Sequence, residues 1–393
     1  MKILFIHEVN YRSKVIFEMH EFPELLAARG HEVSFFHYPE ATGRGNVSLR
    51  ARRERISGRV HSAVSLTLIT PPTFGGGRGE RLFAPLLALR SLHREVRKGG
   101  YDVVVLYAVP TTGWQAVFFA RRAGVPVVFR ALDVSHLIRG SRLAPLIRAA
   151  ERYVYRHATL LSANNPALGD YCDQISEREG PTVVHLPPLD LSHFRGPFGD
   201  ELRGALGLTP RQKVLVFMGS FFSFSGLDVV VDALPPLVER FPDLRVVLVG
   251  GGELDADLRE RVERLGLSNH VIFTGVVPYA ELPRYLGLAD VAINPFHPAL
   301  LTNVALPHKV LQYMAAGTPV VSTSLTGLRA VLGDDSGVTW VDASADLPVV
   351  AAELAHAPRA ALREIAGRQM RCVGERFEEG RAVDAFETSL QAL

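Results

Sequence analysis

Short β-branched and aromatic runs alternate along this chain with longer stretches in which apolar residues recur every three or four positions. In the first half, KILFIHE (2–8), HEVSFFHY (31–38), DVVVLYAV (102–109), VPVVFRAL (125–132) and TLLSAN (159–164) read as strands. Helices are expected between them, at 17–29 and 82–97. KVLVFMG (213–219), RVVLVG (245–250), VIFTG (271–275), VAINPF (291–296) and TPVVST (318–323) repeat the rhythm in the second half. The fold class is therefore α/β, each half predicting its own doubly wound parallel sheet. The Gly- and Pro-rich stretch 194–210 lacks a strand pattern and marks the seam, and 357–392 is helical in composition. The expected division is a first domain over 1–195, a second over 196–375, and a terminal helix over 376–393 that packs back on the first. Two such domains facing each other form a cleft lined by the carboxyl ends of both sheets, where open α/β sheets bind ligands.

The length of 393 residues agrees with two domains. With 47% hydrophobic and 21% charged residues the composition is that of a globular protein. No apolar run is long enough to span a bilayer, and MKILFIHE reads as a strand rather than a signal peptide, so a cytoplasmic enzyme is expected. Cys172 and Cys372 are the only cysteines, which excludes a disulfide framework and a Cys-based zinc site. The net charge of +2 conceals an asymmetry: residues 1–195 carry +9 and the remainder −7. A basic half suits an anionic partner, and the cluster Arg50, Arg52, Arg53, Arg55 and Arg59 leaves contact with a membrane surface open, with a solvated face as the plainer reading. No interleaving of basic and aromatic residues or known reader motif points to nucleic acid.

The segment with the clearest chemistry is NPFHPALLTNVALPHKVLQYMAAGTPVVST (294–323). Pro307 stands where a first helical turn begins, and Gly317 ends that helix before the next strand. Lys309 falls in the first turn, the wrong end for a cation unless an anion docks on the same free N–H groups. A phosphate held by Lys309 is favoured over a solvated lysine. Asp255-Ala256-Asp257 spells D-x-D, but within a helix its carboxylates face apart, so no catalytic metal is expected. The histidines His7, His20 and His31 show no metal-binding spacing, and the loop around Gly75–Gly77 reads as a plain connection.

LPHKVLQYMAAGTPVV (306–321) resembles the donor-binding element of retaining glycosyltransferases of the GT-B fold, family four in particular. The resemblance implies two Rossmann-like domains across a cleft and a nucleoside diphosphate sugar (UDP, GDP or dTDP) as co-substrate, with no bound cofactor. Where the family carries E-x7-E, this chain has Val304 and Gln312, and Gln312 can still bond ribose hydroxyls. FMGSFFSFSGLDVVVDAL (217–234) is similar to the family's phosphate loop G-R-x4-K-G, with Ser220 and Ser225 in the Arg and Lys positions. By the same resemblance the donor contacts are Gly219, Ser220, Ser225, Gly226, Gly250, Gly252, Val277, Pro307, His308 and Gln312, with Lys309 and Asp133 carrying catalysis. Phe221, Phe222 and Phe224 either wall the acceptor or pack between domains. HEVNYRSK (7–14) stands where the family has a Gly-Gly loop, which puts Asn10, Tyr11, Arg12 and Lys14 at the acceptor. The implied activity is retaining sugar transfer to a small molecule, a glycan or a lipid-linked acceptor. The alternatives are a non-catalytic sugar-nucleotide-binding partner subunit, which the serines and Gln312 would suit, and a sugar-nucleotide 2-epimerase.

Overall fold

The computed structural model describes residues 1–39, 47–48, 50–74, 80–138, 143–196 and 201–393. The Gly75–Gly77 loop and part of the 194–210 seam lie outside the described residues. The chain divides into two compact units, Met1–Pro188 with Glu379–Leu393, and Leu189–Glu378.

Unit 1 is built on an eight-stranded sheet. Its strands in spatial order are Val183–Val184, Leu160–Ala163, Val127–Ala131, Val103–Leu106, Lys2–Ile6, Glu32–Phe36, Ser65–Thr70 and Arg52–Ser57. Neighbours are parallel except for the last pair, which is antiparallel. The central strands are buried throughout, as the near-continuous apolar run VVVL at 103–106 requires of a sheet covered on both faces. Strand order reverses between Lys2–Ile6 and Val103–Leu106, so the crevice of this sheet opens beyond Ile6 and Leu106.

The sequence pattern did not disclose the strands Arg52–Ser57 and Ser65–Thr70. RRERIS reads as an arginine cluster, yet it pairs with SLTLIT at the sheet edge, where exposed charges deter further pairing. Arg53 reaches Glu95 at 2.7 Å, and Arg55 donates to Ser65.

Unit 2 holds six parallel strands in the order Val271–Gly275, Leu244–Gly251, Lys213–Ser220, Val291–Asn294, Val320–Thr323 and Thr339–Val341. Here the order reverses between Lys213–Ser220 and Val291–Asn294. These two pair only at Leu215 and Val216, and then splay. The gap between them is the switch point of the sheet.

Residues 189–195, placed by the sequence pattern with the first domain, belong to unit 2. Leu189 N–H donates to Phe377 O, and the His193 ring stacks on Tyr279 at 4.2 Å. The helix Arg359–Arg376 stays in unit 2, whereas Glu379–Gln391 packs on unit 1. Phe386 meets Phe22 at 4.6 Å, His185 Nε2 bonds Ser389, and Glu387 pairs with Arg29 and His31. Among the described residues no helix is long and apolar enough to cross a membrane.

Candidate functional site

The switch point of unit 2 is organised around one helix, His308–Ala315. Its N-cap is Pro307, which offers no side-chain cap to the first-turn N–H groups. Lys309 and Tyr313 stand four residues apart and so share a helix face. Tyr313 fixes the register. Its hydroxyl accepts from Met218 N–H at 2.7 Å and donates to Met218 O, satisfying backbone groups stranded where the two strands splay.

Held in that register, Lys309 places its Nζ 3.8 Å from the centroid of the Phe217 ring and 4.5 Å from that of Phe296. Phe296 is set by Thr323, whose hydroxyl donates to its carbonyl at 2.8 Å. A Cβ at Gly219 would lie 3.0 Å from the same Nζ, so glycine there lets the ammonium approach the strand end. Burial drives the Lys309 pKa well below the usual lysine value, and no carboxylate offsets this. Two aromatic faces supply about 0.5–2 kcal/mol each towards a desolvated cation, less than a paired anion would. The half-buried Lys309 has no ion pair among the described residues.

The neighbouring loops have little freedom. Gly250 lies in register with Gly219, and a Cβ on it would fall 2.0 Å from Gly219 O. Gly226 adopts φ +68°, and its Cβ would sit 1.9 Å from Pro295 O, so only glycine opens the helix Leu227–Arg240 here. A Cβ on Gly252 would fall 2.7 Å from the backbone of Phe221. Ser225 is buried with its Oγ unbonded among the described residues, while Ser220 is exposed at the strand end. Gln312 is buried in the helix that carries Lys309, and Val277 follows Gly275 in a partly exposed loop. His308 begins the helix and is partly buried. Phe221 is fully buried against Phe217, whereas Phe222 is exposed and stacks on Phe224. Sequence reasoning missed the cage of Phe217 and Phe296, and also His297, whose Nε2 lies 3.5 Å from Asp228 in the first turn of Leu227–Arg240. Asp255 of the D-x-D pairs with Arg259 along its own helix at 2.8 Å.

At the corresponding edge of unit 1, the side chains named from the sequence separate. Tyr11 is a core residue, fully buried, with its hydroxyl donating to Glu24 at 2.6 Å, so in this conformation it does not face an acceptor. Arg12 pairs with Glu54 at 2.6 Å. Asn10 accepts from Arg12 N–H and closes the turn, leaving Lys14, partly exposed, as the cation on this loop without an ion pair among the described residues. Asp133 is partly buried just beyond Val127–Ala131; burial pushes the Tyr155 pKa well up, and the Asp133 charge adds a smaller push in the same direction.

The residues that shape this edge are others. Glu8 accepts from Val109 N–H, Thr111 N–H and the Thr111 hydroxyl. Glu24 gathers Arg59, Val60 and His61 N–H groups as well as Tyr11. Arg130 is wholly buried, bidentate to Glu18 at 2.7 and 2.9 Å, and donates to Ser162, Ala163 O and His185 O. The nearby His20 is pushed down to about 4 by burial.

Residues 212–363 match the family described as glycosyl transferases group 1, and residues 19–188 match the glycosyl transferase 4-like domain. A D-inositol 3-phosphate glycosyltransferase of Actinosynnema mirum is 32% identical over 288 residues, 68% of this chain and 67% of the relative. A GDP-mannose-dependent alpha-(1-6)-phosphatidylinositol monomannoside mannosyltransferase of Mycolicibacterium smegmatis is 32% identical over 63% of this chain and 66% of its own length. Among solved structures, Anabaena HepE in complex with UDP and glucose covers 100% of both chains with a TM-score of 0.77 at 17% identity, a likeness of fold. The chain belongs to the group 1 glycosyltransferases and has their GT-B fold.

Proposed function

We propose that this protein transfers a sugar from a nucleoside diphosphate sugar to a hydroxyl-bearing acceptor with retention of anomeric configuration. The observation that carries the reading is the Lys309 ammonium at the switch point of unit 2, caged by Phe217 and Phe296 without a counter-charge. A diphosphate supplies that charge, with the uncapped starts of His308–Ala315 and Leu227–Arg240 offering N–H groups beside it. A donor of UDP or GDP type fits the relatives: HepE was solved with UDP and glucose, and the Mycolicibacterium relative is GDP-mannose-dependent by name. In this role Gln312 meets the ribose, and the backbone around Val277 meets the base.

The step follows from that charge. The bond from the anomeric carbon to the diphosphate oxygen breaks, and its electron pair stays on the phosphate, where Lys309 stabilises it. The acceptor oxygen attacks the face the diphosphate leaves, and its proton passes to a phosphate oxygen. No protein carboxylate is needed as base. Unit 1 carries the acceptor, with Asp133 and Lys14 as its polar contacts.

A second reading, a sugar-nucleotide-binding subunit without turnover, is favoured by Ser220, Ser225 and Gln312 alone. The purified chain incubated with UDP-glucose or GDP-mannose separates the two. Slow release of UDP or GDP, lost in Lys309→Met, supports the transferase. Tight diphosphate binding with no release from either sugar nucleotide supports the partner subunit. If an acceptor is glycosylated with inverted configuration at the anomeric carbon, the retaining mechanism is wrong.

A further inference from the structure

The segment beyond Val291–Asn294 does more than supply Phe296 to the lysine cage. His297, the next residue, joins that cage to the loop 221–226 and to the helix that follows it. Its N–H donates to Phe224 O at 3.0 Å, and its carbonyl accepts from the Thr302 hydroxyl. The Phe224 ring meets Phe296 edge-on at 5.3 Å. The imidazole of His297 faces two further elements. Its Nδ1 lies 3.1 Å from Ser344 Oγ, just beyond Thr339–Val341, and its Nε2 lies 3.5 Å from Asp228 Oδ1. A carboxylate facing Nε2 favours the tautomer with its proton there, and Nδ1 then accepts from the Ser344 hydroxyl.

Asp228 is the acid in the first turn of Leu227–Arg240, where Gly226 gives no side-chain cap. An acid at that place suits the helix macrodipole. The same first-turn N–H groups are the ones that the donor reading gives to the diphosphate, and an anion arriving there meets a like charge. Asp228 answers His297 and not Lys309, whose charge no carboxylate offsets. Its Oδ1 is shut off from water and makes no hydrogen bond among the described residues, since 3.5 Å is too long for one. What faces that oxygen is the Nε2 edge of His297.

We propose that His297 is a positioning residue for donor binding: its ring holds the Asp228 carboxylate and offsets its repulsion of the diphosphate at the start of Leu227–Arg240. This rests on the donor reading and adds to it a residue that acts on the diphosphate through Asp228. The plainer role for His297 is to tie two loops together. Its backbone bonds to Phe224 and Thr302 do that in any variant but proline, so a substitution of the ring isolates the effect on Asp228.

Calorimetry of the full chain with UDP and GDP, and with uridine and guanosine, tests this in a double-variant cycle. His297→Phe keeps a ring and removes both nitrogens, and Asp228→Asn keeps the side-chain shape and removes the charge. His297→Phe should weaken diphosphate binding about tenfold and leave the matching nucleoside within about twofold. His297→Gln, which still turns an N–H towards Asp228, should weaken it by less than about threefold. Asp228→Asn should bind the diphosphate at least as tightly as the wild type. In that background His297→Phe should change affinity by less than about threefold, because the charge it offsets is gone. A purely structural role does not give this rescue. Nucleoside binding reports folding, and His297→Ala replaces the Phe variant if that one does not fold. The proposal is overturned if the ring variant binds the diphosphate like the wild type, if it loses nucleoside and diphosphate equally, or if the double variant is as weak as the ring variant alone. Each of those outcomes leaves the donor reading standing. A wild type that binds neither UDP nor GDP defeats the donor reading, and this inference with it.

Discussion

The two units treat buried charge in opposite ways. In unit 2 a single lysine stands at the switch point with two phenylalanine faces and, among the described residues, no acid, and its helix is held there by the Tyr313 hydroxyl bonded to Met218 of the neighbouring strand. In unit 1 the buried charges are matched: Glu18 by Arg130, Glu24 by four donors, Glu8 by three. An unmatched charge waits for a ligand, whereas a matched one holds backbone in place. Unit 2 therefore leaves a charge at its switch point for the proposed diphosphate, and unit 1 uses its buried acids to fix loop backbone.

The largest expected effect breaks a matched charge. Glu18→Gln leaves the Arg130 guanidinium buried without its carboxylate, which should cost about 3–5 kcal/mol and lower the denaturant midpoint of unit 1. A loss below about 1 kcal/mol would mean that the pair does not organise the unit. Next, Lys309→Met should weaken UDP binding about 10- to 100-fold while uridine binding stays unchanged, as calorimetry would show. The same variant has a pH signature. Burial holds Lys309 below the ordinary lysine pKa, so between the depressed and the ordinary value the unfolded chain binds the proton more readily. Stability should rise with pH through that window in the wild type, and the contribution should vanish in Lys309→Met. Asp133→Ala should lower transfer about tenfold with donor affinity intact, a split between kcat and nucleotide Kd that steady-state kinetics would reveal. The smallest effect is expected at Ser220. This residue is exposed at the strand end, so Ser220→Ala should change stability by less than about 0.5 kcal/mol and donor affinity by less than about twofold.

The same contrast governs what could be read from the sequence. The alternation of strands and helices, the helix between Pro307 and Gly317, and Lys309 in its first turn are local patterns, and each is present in the structure. The glycines at 219, 226 and 250 are legible for a related reason, since close backbone approach leaves no other residue type. The cage was not legible, because Phe217, Phe296 and Lys309 come from three separate elements. Nothing local marks one phenylalanine among many in the core. In unit 1, Tyr11 looks like a polar loop residue in HEVNYRSK, but its ring fills the core and Glu24 takes its hydroxyl. Arg130 sits inside an apolar strand, where only its distant partners explain it. RRERIS shows charge before it shows a strand, since its pairing partner SLTLIT supplies the apolar face.

The most direct test of a donor diphosphate on Lys309 is calorimetry of UDP binding in two buffers of different ionisation enthalpy, for the wild type and for Lys309→Met. A docked diphosphate favours the ammonium form, so wild-type binding should take up a proton wherever the free lysine is neutral, and affinity should fall as pH rises through that range. The variant should bind more weakly and without lysine-linked uptake. If both proteins bind UDP with the same affinity and the same proton balance, Lys309 does not hold the diphosphate.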